Sequence, residues 1–258
     1  MRHALILTVL LTACPSPEPP PEPPPAPPPE VKAAPVNPDF PHRVVIDGQE
    51  RAARWDDGDT FAIAPDNPEE KPARARLAGF NTLESYGPVH RWGDWTAAEL
   101  FKLSKEAGER AASQPWRCTD TGEGGGYGRM LVDCPELRQT LLSEGLAHVF
   151  AIDTPPDAND VAVQQGAIQG RKGIWAKGAP EGLITSLHSL DEKPDQTATY
   201  NRVADLTTGM AQEVAHAETY APCQEVCVQG SCMVYVPYAQ RYGDDRAACL
   251  QPEKKEAP

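Results

Sequence analysis

Three short stretches hold residues whose types and spacing suit chemistry on a phosphate. "DDGDTF" (56–61) sets Asp57 and Asp59 about a glycine, and "RLAGFNTLE" (76–84) gathers Arg76, Asn81, Thr82 and Glu84. "YGRML" (127–131) brings Tyr127 and Arg129. A guanidinium stays charged and donates two parallel hydrogen bonds to a phosphate. Carboxylate, amide and carbonyl oxygens are the donors that hard cations take. Phosphodiester hydrolysis needs an attacking water, neutralised phosphoryl oxygens and a group that meets charge building in the transition state. These residues are the right kinds for a metal-assisted phosphate site. The competing reading is plain surface polarity, since Asp-Gly is common in turns and loop arginines and glutamates are often solvated.

The elements that must position these residues follow from the pattern. "HRVVID", "ARWDDGDTFAIAP" and "ARARLAGF" read as three strands, the first two joined by the turn "DGQERA". "WTAAELFKLSKEAGERAAS" reads as a helix with Ala97, Leu100, Phe101 and Ser104 on one face. "WRCTDTGEGGGYGRMLVDC" reads as a hairpin about a glycine-rich turn, with "PELRQTLLSEGLAHVF" and "DVAVQQGAIQGRKGIW" as second and third helices. Five strands with a helix between the third and fourth predict an α+β fold built on a small OB-type barrel. His90, Trp92 and Trp95, between the loop and the first helix, are either base-stacking faces or core.

This order of pieces resembles the staphylococcal nuclease (thermonuclease) family, whose pattern runs Asp-Gly-Asp-Thr, then Arg-Leu and Asp-Thr-Pro-Glu, then Tyr-Gly-Arg, on an OB barrel. The resemblance covers residues 43–176, about half the chain. It implies that Arg76 and Arg129 clamp the phosphate and that Glu84 orients or deprotonates the attacking water. It further implies Ca2+ held by Asp59, residue 81 and the Thr82 carbonyl, with Tyr127 beside the substrate. Here Asn81 stands for the family's second Asp and Leu83 for its Pro, so weaker Ca2+ binding and a less stiff loop are expected. The implied substrate is DNA or RNA. The alternatives are a barrel that only binds nucleic acid or another anionic polymer, and a structural envelope protein.

Composition sets the context. The 24 Lys+Arg against 37 Asp+Glu give −13, which excludes the broad basic face behind tight non-specific DNA binding. Residues 1–14 combine a basic start with the apolar run Ala4–Leu11, too short to span a bilayer, as in a secretory signal. "LTAC" resembles a bacterial lipobox, which implies lipid attachment at Cys14 and an envelope location. Thirteen of the 28 prolines fall in residues 15–38, so 15–41 reads as a semi-rigid linker.

The six remaining cysteines, Cys118, Cys134, Cys223, Cys227, Cys232 and Cys249, read as disulfides in an exported chain. Cys118 and Cys134 lie symmetrically about the hairpin turn and suit a bridge; the pairing of the other four stays open, with a loose zinc-like spacing as the rival. The predicted organisation is a barrel domain at 42–178 and a small, β-rich, disulfide-stapled module at 179–258, with His188 and His216 as ordinary polar residues. The sequence points to no protein partner.

Overall fold

The computed structural model describes residues 37–251. Cys14, the signal segment and the proline-rich stretch as far as residue 36 lie outside the described residues. Among the described residues no helix is long and apolar enough to cross a membrane.

The chain begins with β1 (His42–Ile46), β2 (Gln49–Trp55), β3 (Thr60–Ile63) and β4 (Ala73–Leu77). The turn between β1 and β2 is only Asp47 and Gly48, so most of the expected turn "DGQERA" is strand. "ARWDDGDTFAIAP" is two strands rather than the expected one. Asp57 explains the break: its Oδ1 accepts the Asp59 N–H at 3.0 Å, a local turn that competes with extended backbone. The Asp56 N–H then reaches the Thr60 carbonyl at 2.9 Å and closes the hairpin.

Next come β5 (Phe80–Thr82), β6 (His90–Trp92), α1 (Ala97–Ala112), β7 (Trp116–Gly124) and β8 (Met130–Asp133). Six strands close a barrel in the order β1-β2-β3-β4-β8-β7, one more than the five expected. Val44, Phe61, Leu77 and Val132 fill its centre. Thr96 and Glu99 form a reciprocal cap on α1, which buries Ser104, sets Ala107 and Ala111 in the barrel core and places Leu100 in a second cluster with Leu83, Trp92 and Trp175. Of the predicted face only Leu100 and Ser104 are fully buried; Phe101 is half-buried, with the Lys105 Nζ 5.0 Å from its ring centroid.

Helix α2 (Pro135–Glu144) ends at Gly145, whose φ of 70° takes the left-handed conformation that stops a helix. "LAHV", expected as the end of that helix, is instead in β9 (Ala147–Val149), antiparallel to β5. Helix α3 (Ala158–Gln169) starts on the cap Asp157. The three predicted helices are present, though the third stops at Gln169, and Gly173–Trp175 of its expected span form a separate 3-10 turn. Cys118 and Cys134 are bridged as expected.

The C-terminal segment adds β10 (Gly182–Ser186), β11 (Thr199–Asp205) and β12 (Ala211–His216), one antiparallel sheet. β13 (Glu225–Val228) and β14 (Ser231–Val234) form a second, whose third strand is β6. Cys223–Cys249 and Cys227–Cys232 are disulfides, so these four sulfurs are not zinc ligands.

Candidate phosphate and metal site

The register of β3 against β4 places Thr60 opposite Arg76, and this alone brings Arg76 beside Asp59. The Leu77 N–H fixes that corner by donating to the Asp59 carbonyl at 2.9 Å. The guanidinium of Arg76 is then shared, one nitrogen donating to Asp59 Oδ1 and the other to Asn81 Oδ1. Asp59 Oδ2 accepts the Thr82 N–H at 2.6 Å and the Thr82 hydroxyl at 3.0 Å. Thr60 Oγ1 donates to Oδ1 at 3.1 Å. Four of the predicted site residues, Asp59, Arg76, Asn81 and Thr82, are therefore one hydrogen-bonded unit. A buried carboxylate needs such a cation and such donors to remain charged.

Glu84 lies on the loop beyond β5 and shares a pocket with Asp57 and that unit. Its N–H donates to His90 Nε2 at 3.3 Å, so the neutral His90 ring carries its proton on Nδ1. Burial, then the neighbouring His148, lowers the His90 pKa to about 3. His148 sits opposite Asn81 in the β5–β9 ladder. Burial brings it to about 4, and its Nδ1 faces the Val149 carbonyl at 3.0 Å. Neither histidine adds positive charge to the pocket at neutral pH.

The carboxylates are perturbed the other way. Burial, and next the Asp59 carboxylate, push Asp57 well above the usual range. Burial also raises Glu84, opposed first by the Arg241 guanidinium and less by Arg76 and Arg129. Carboxylate and amide oxygens are the donors that hard cations take, but those of Asp59 and Asn81 are held here by Arg76 and Thr82. Among the described residues no three carboxylates of this pocket lie within 4.8 Å of one another. The one close group, Glu225 with Cys227 and Cys232, has both sulfurs in a disulfide.

Arg129 stands in the turn before β8, outside the pocket lining. Its Nε donates to the Gly126 carbonyl at 3.2 Å and another nitrogen to the Gly125 carbonyl at 2.9 Å. The turn still abuts the site: a Cβ on Gly125 would come within 2.9 Å of the Arg76 Cβ, so only glycine allows this approach. Burial, then the repulsion of Arg76, lowers the Arg129 pKa. Tyr127 is 96% exposed at the hairpin tip, which rules out a core role. Trp92 is buried, its Nε1 donating to the Gly178 carbonyl at 3.0 Å, and it offers no face to a base. Trp95 is tied to the Ile174 carbonyl at 2.8 Å.

Sequence reasoning did not single out His148, Thr185 and Arg241. Thr185 on β10 lines the pocket from the C-terminal segment. Arg241 lies 241 − 84 = 157 residues beyond Glu84, and no local pattern joins the two. His148 alone had a signal, because its stretch follows the hairpin in the order of the motif pieces. No protein-family model matches this chain, and no curated protein matches it.

Proposed function

We propose that this chain is a nuclease of the thermonuclease type. It would hydrolyse phosphodiester bonds of DNA or RNA with Ca2+, exported and held at the bacterial cell envelope by a lipid on Cys14. The observation that carries the reading is the pocket that joins Glu84 to the Arg76–Asp59–Asn81–Thr82 unit. Asp59, Asn81 and Thr82 would hold the ion, and Ca2+ bound there would neutralise phosphoryl charge. Glu84, whose proton affinity burial raises, is suited to take a proton from the attacking water. Arg76 becomes a two-pronged donor for a phosphate by releasing Asp59 and Asn81, which its two nitrogens hold here, and so frees the same oxygens for the ion. Arg129 reaches the substrate by giving up its two carbonyl contacts within its own turn. A closed six-stranded barrel with α1 between β4 and β7 supports the reading of an OB-type scaffold.

A second reading, a barrel that binds an anionic polymer without cleaving it, draws support from the position of Arg129 outside the pocket. Hydrolysis of single-stranded DNA and RNA by the exported protein, with Ca2+ and with a chelator, separates the two. Cleavage that needs Ca2+ and falls by about 10²–10⁴ in kcat for Glu84→Gln supports the nuclease. Binding with no turnover in either condition supports the second reading. Asn81→Asp should tighten Ca2+ binding severalfold, because a carboxylate adds charge to the donor set.

A further inference from the structure

Two tyrosine rings of the C-terminal segment stand in solvent close to the pocket. Tyr238 is 72% and Tyr242 61% exposed. Their ring centroids are 6.4 Å apart, and Tyr242 lies 6.1 Å from Tyr86, a buried ring two residues beyond Glu84. Arg241 ties the group together, with its guanidinium 4.8 Å from the Tyr86 centroid and 6.0 Å from that of Tyr238. Its Nε is fixed by the Val236 carbonyl at 3.0 Å. Arg241 is also the cation that Glu84 feels most strongly, and Tyr242 in turn feels Glu84 and Asp57. A line of groups thus runs from the pocket through Arg241 to two open aromatic faces.

We infer that Tyr238 and Tyr242, with Arg241 between them, are a stacking platform for unpaired bases of a single nucleic-acid strand whose phosphate lies in the neighbouring pocket. The inference rests on the reading of that pocket as a phosphodiester site. Exposed rings give up burial, and bases are the ligand that recovers it, since every base presents a π-face. A duplex hides those faces, so the platform selects single strands. Asp244 and Asp245 are exposed beside the rings, and the chain carries −13, so general attraction for phosphates is weak here. The same two carboxylates oppose an anionic lipid surface. Stacking, with one local cation, has to supply the affinity, and its salt dependence should be shallow.

The test uses the full chain, a chelator to prevent turnover, and a fluorescein-labelled oligo(dT) of about twelve nucleotides read by anisotropy, enough to cover one barrel-sized site. Tyr238→Ala and Tyr242→Ala should each weaken binding by about 5- to 150-fold. Tyr238→Phe and Tyr242→Phe should bind like the parent, because the ring face is kept. A blunt duplex of the same length should be indifferent to all four changes. Parent-like binding by the double alanine variant, or equal losses for phenylalanine and alanine, overturns the platform. The same proteins are then assayed for cleavage of the oligonucleotide with Ca2+. Ring-dependent binding without cleavage sinks the nuclease reading alone. Cleavage with an unchanged KM in the double alanine variant sinks the platform alone.

Discussion

The barrel and the C-terminal segment bury their apolar side chains in different ways. The barrel cluster runs from Val44 to Val149 and draws on its own strands and helices. The C-terminal cluster mixes Ile184, Val203, Met233 and Leu250 with Tyr86 and Val89, which belong to the loop that carries Glu84. The backbone repeats the pattern, for β6 on that loop is the edge partner of β14. The tail completes the hold: Arg246 donates to the Tyr86 carbonyl, and a Cβ on Gly87 would stand 2.3 Å from Leu250 Cδ2. The comparison teaches that the barrel centre is filled from its own elements, whereas the C-terminal side borrows the site loop as core and as strand. A third cluster, with Leu100, Trp175, Leu183 and Leu206, joins the two sides. One half of that loop answers to the barrel, through Asp59 and Thr82, and the other half to the C-terminal segment.

The largest expected effect comes from cutting the two apart. Residues 179–251 expressed alone should lack fixed structure, with a featureless near-UV circular dichroism spectrum. A chain of that size is marginal even with two disulfides, and it would lose Tyr86, Val89 and β6. A cooperative unfolding transition in the isolated segment breaks the comparison.

Arg76→Ala probes the barrel side. It leaves the Asp59 side chain, 3% exposed, without its cation, and removal of one partner of a buried pair costs about 3–5 kcal/mol. Denaturant unfolding should show that loss, and under the proposed nuclease reading hydrolysis should fall by about 10²–10³.

The disulfides sharpen the contrast. Cys223–Cys249 closes a separation of 26 residues and Cys227–Cys232 one of 5. In the chain-entropy model the first contributes about 3.5 kcal/mol and the second about 2 kcal/mol. Replacing each pair with serine and comparing denaturation midpoints should preserve that order.

Arg91 and Glu225 join the two regions at the surface, with Nε to Oε1 at 2.8 Å and a second contact at 2.6 Å. The hydrogen bonds and charge of Arg91 hold Glu225 below the usual carboxylate range. A depressed carboxylate contributes stability that is present above its unfolded value, near 4.5, and lost as pH falls through the lower folded value. Arg91→Ala should therefore produce a small destabilisation at neutral pH that disappears in acid. A difference that grows in acid contradicts the pairing.

Much of the site was legible because it is local. Asp59, Arg76, Asn81, Thr82 and Glu84 sit on one hairpin and the loop after it, so motif order along the chain is nearly order in space. The missed turn has a physical cause. Residues 60–63 are buried on both faces and show no alternation, so nothing in their pattern separates them from β2 across the Asp57-Gly58 turn. The helical reading of "LAHV" failed because Gly145 stops α2 while apolar residues continue beyond it. Strand β13 was not anticipated from "EVCV", four residues without a buried side. The pairing of β6 with β14 and the approach of Arg241 to Glu84 are tertiary events, and no window of sequence contains both partners.

Hydrogen exchange along residues 80–92, in the parent and in Cys223→Ser/Cys249→Ser, tests the shared loop most directly. That bridge fastens the tail that clamps Tyr86 and Gly87. The predicted result is loss of protection at the Glu84 N–H, which relies on His90, and along β6, while the Thr82 N–H, held by Asp59, and strands β2–β4 keep theirs. Unchanged protection at Glu84 and β6, or equal loss at Thr82 and in the barrel, would contradict a loop divided between two supports.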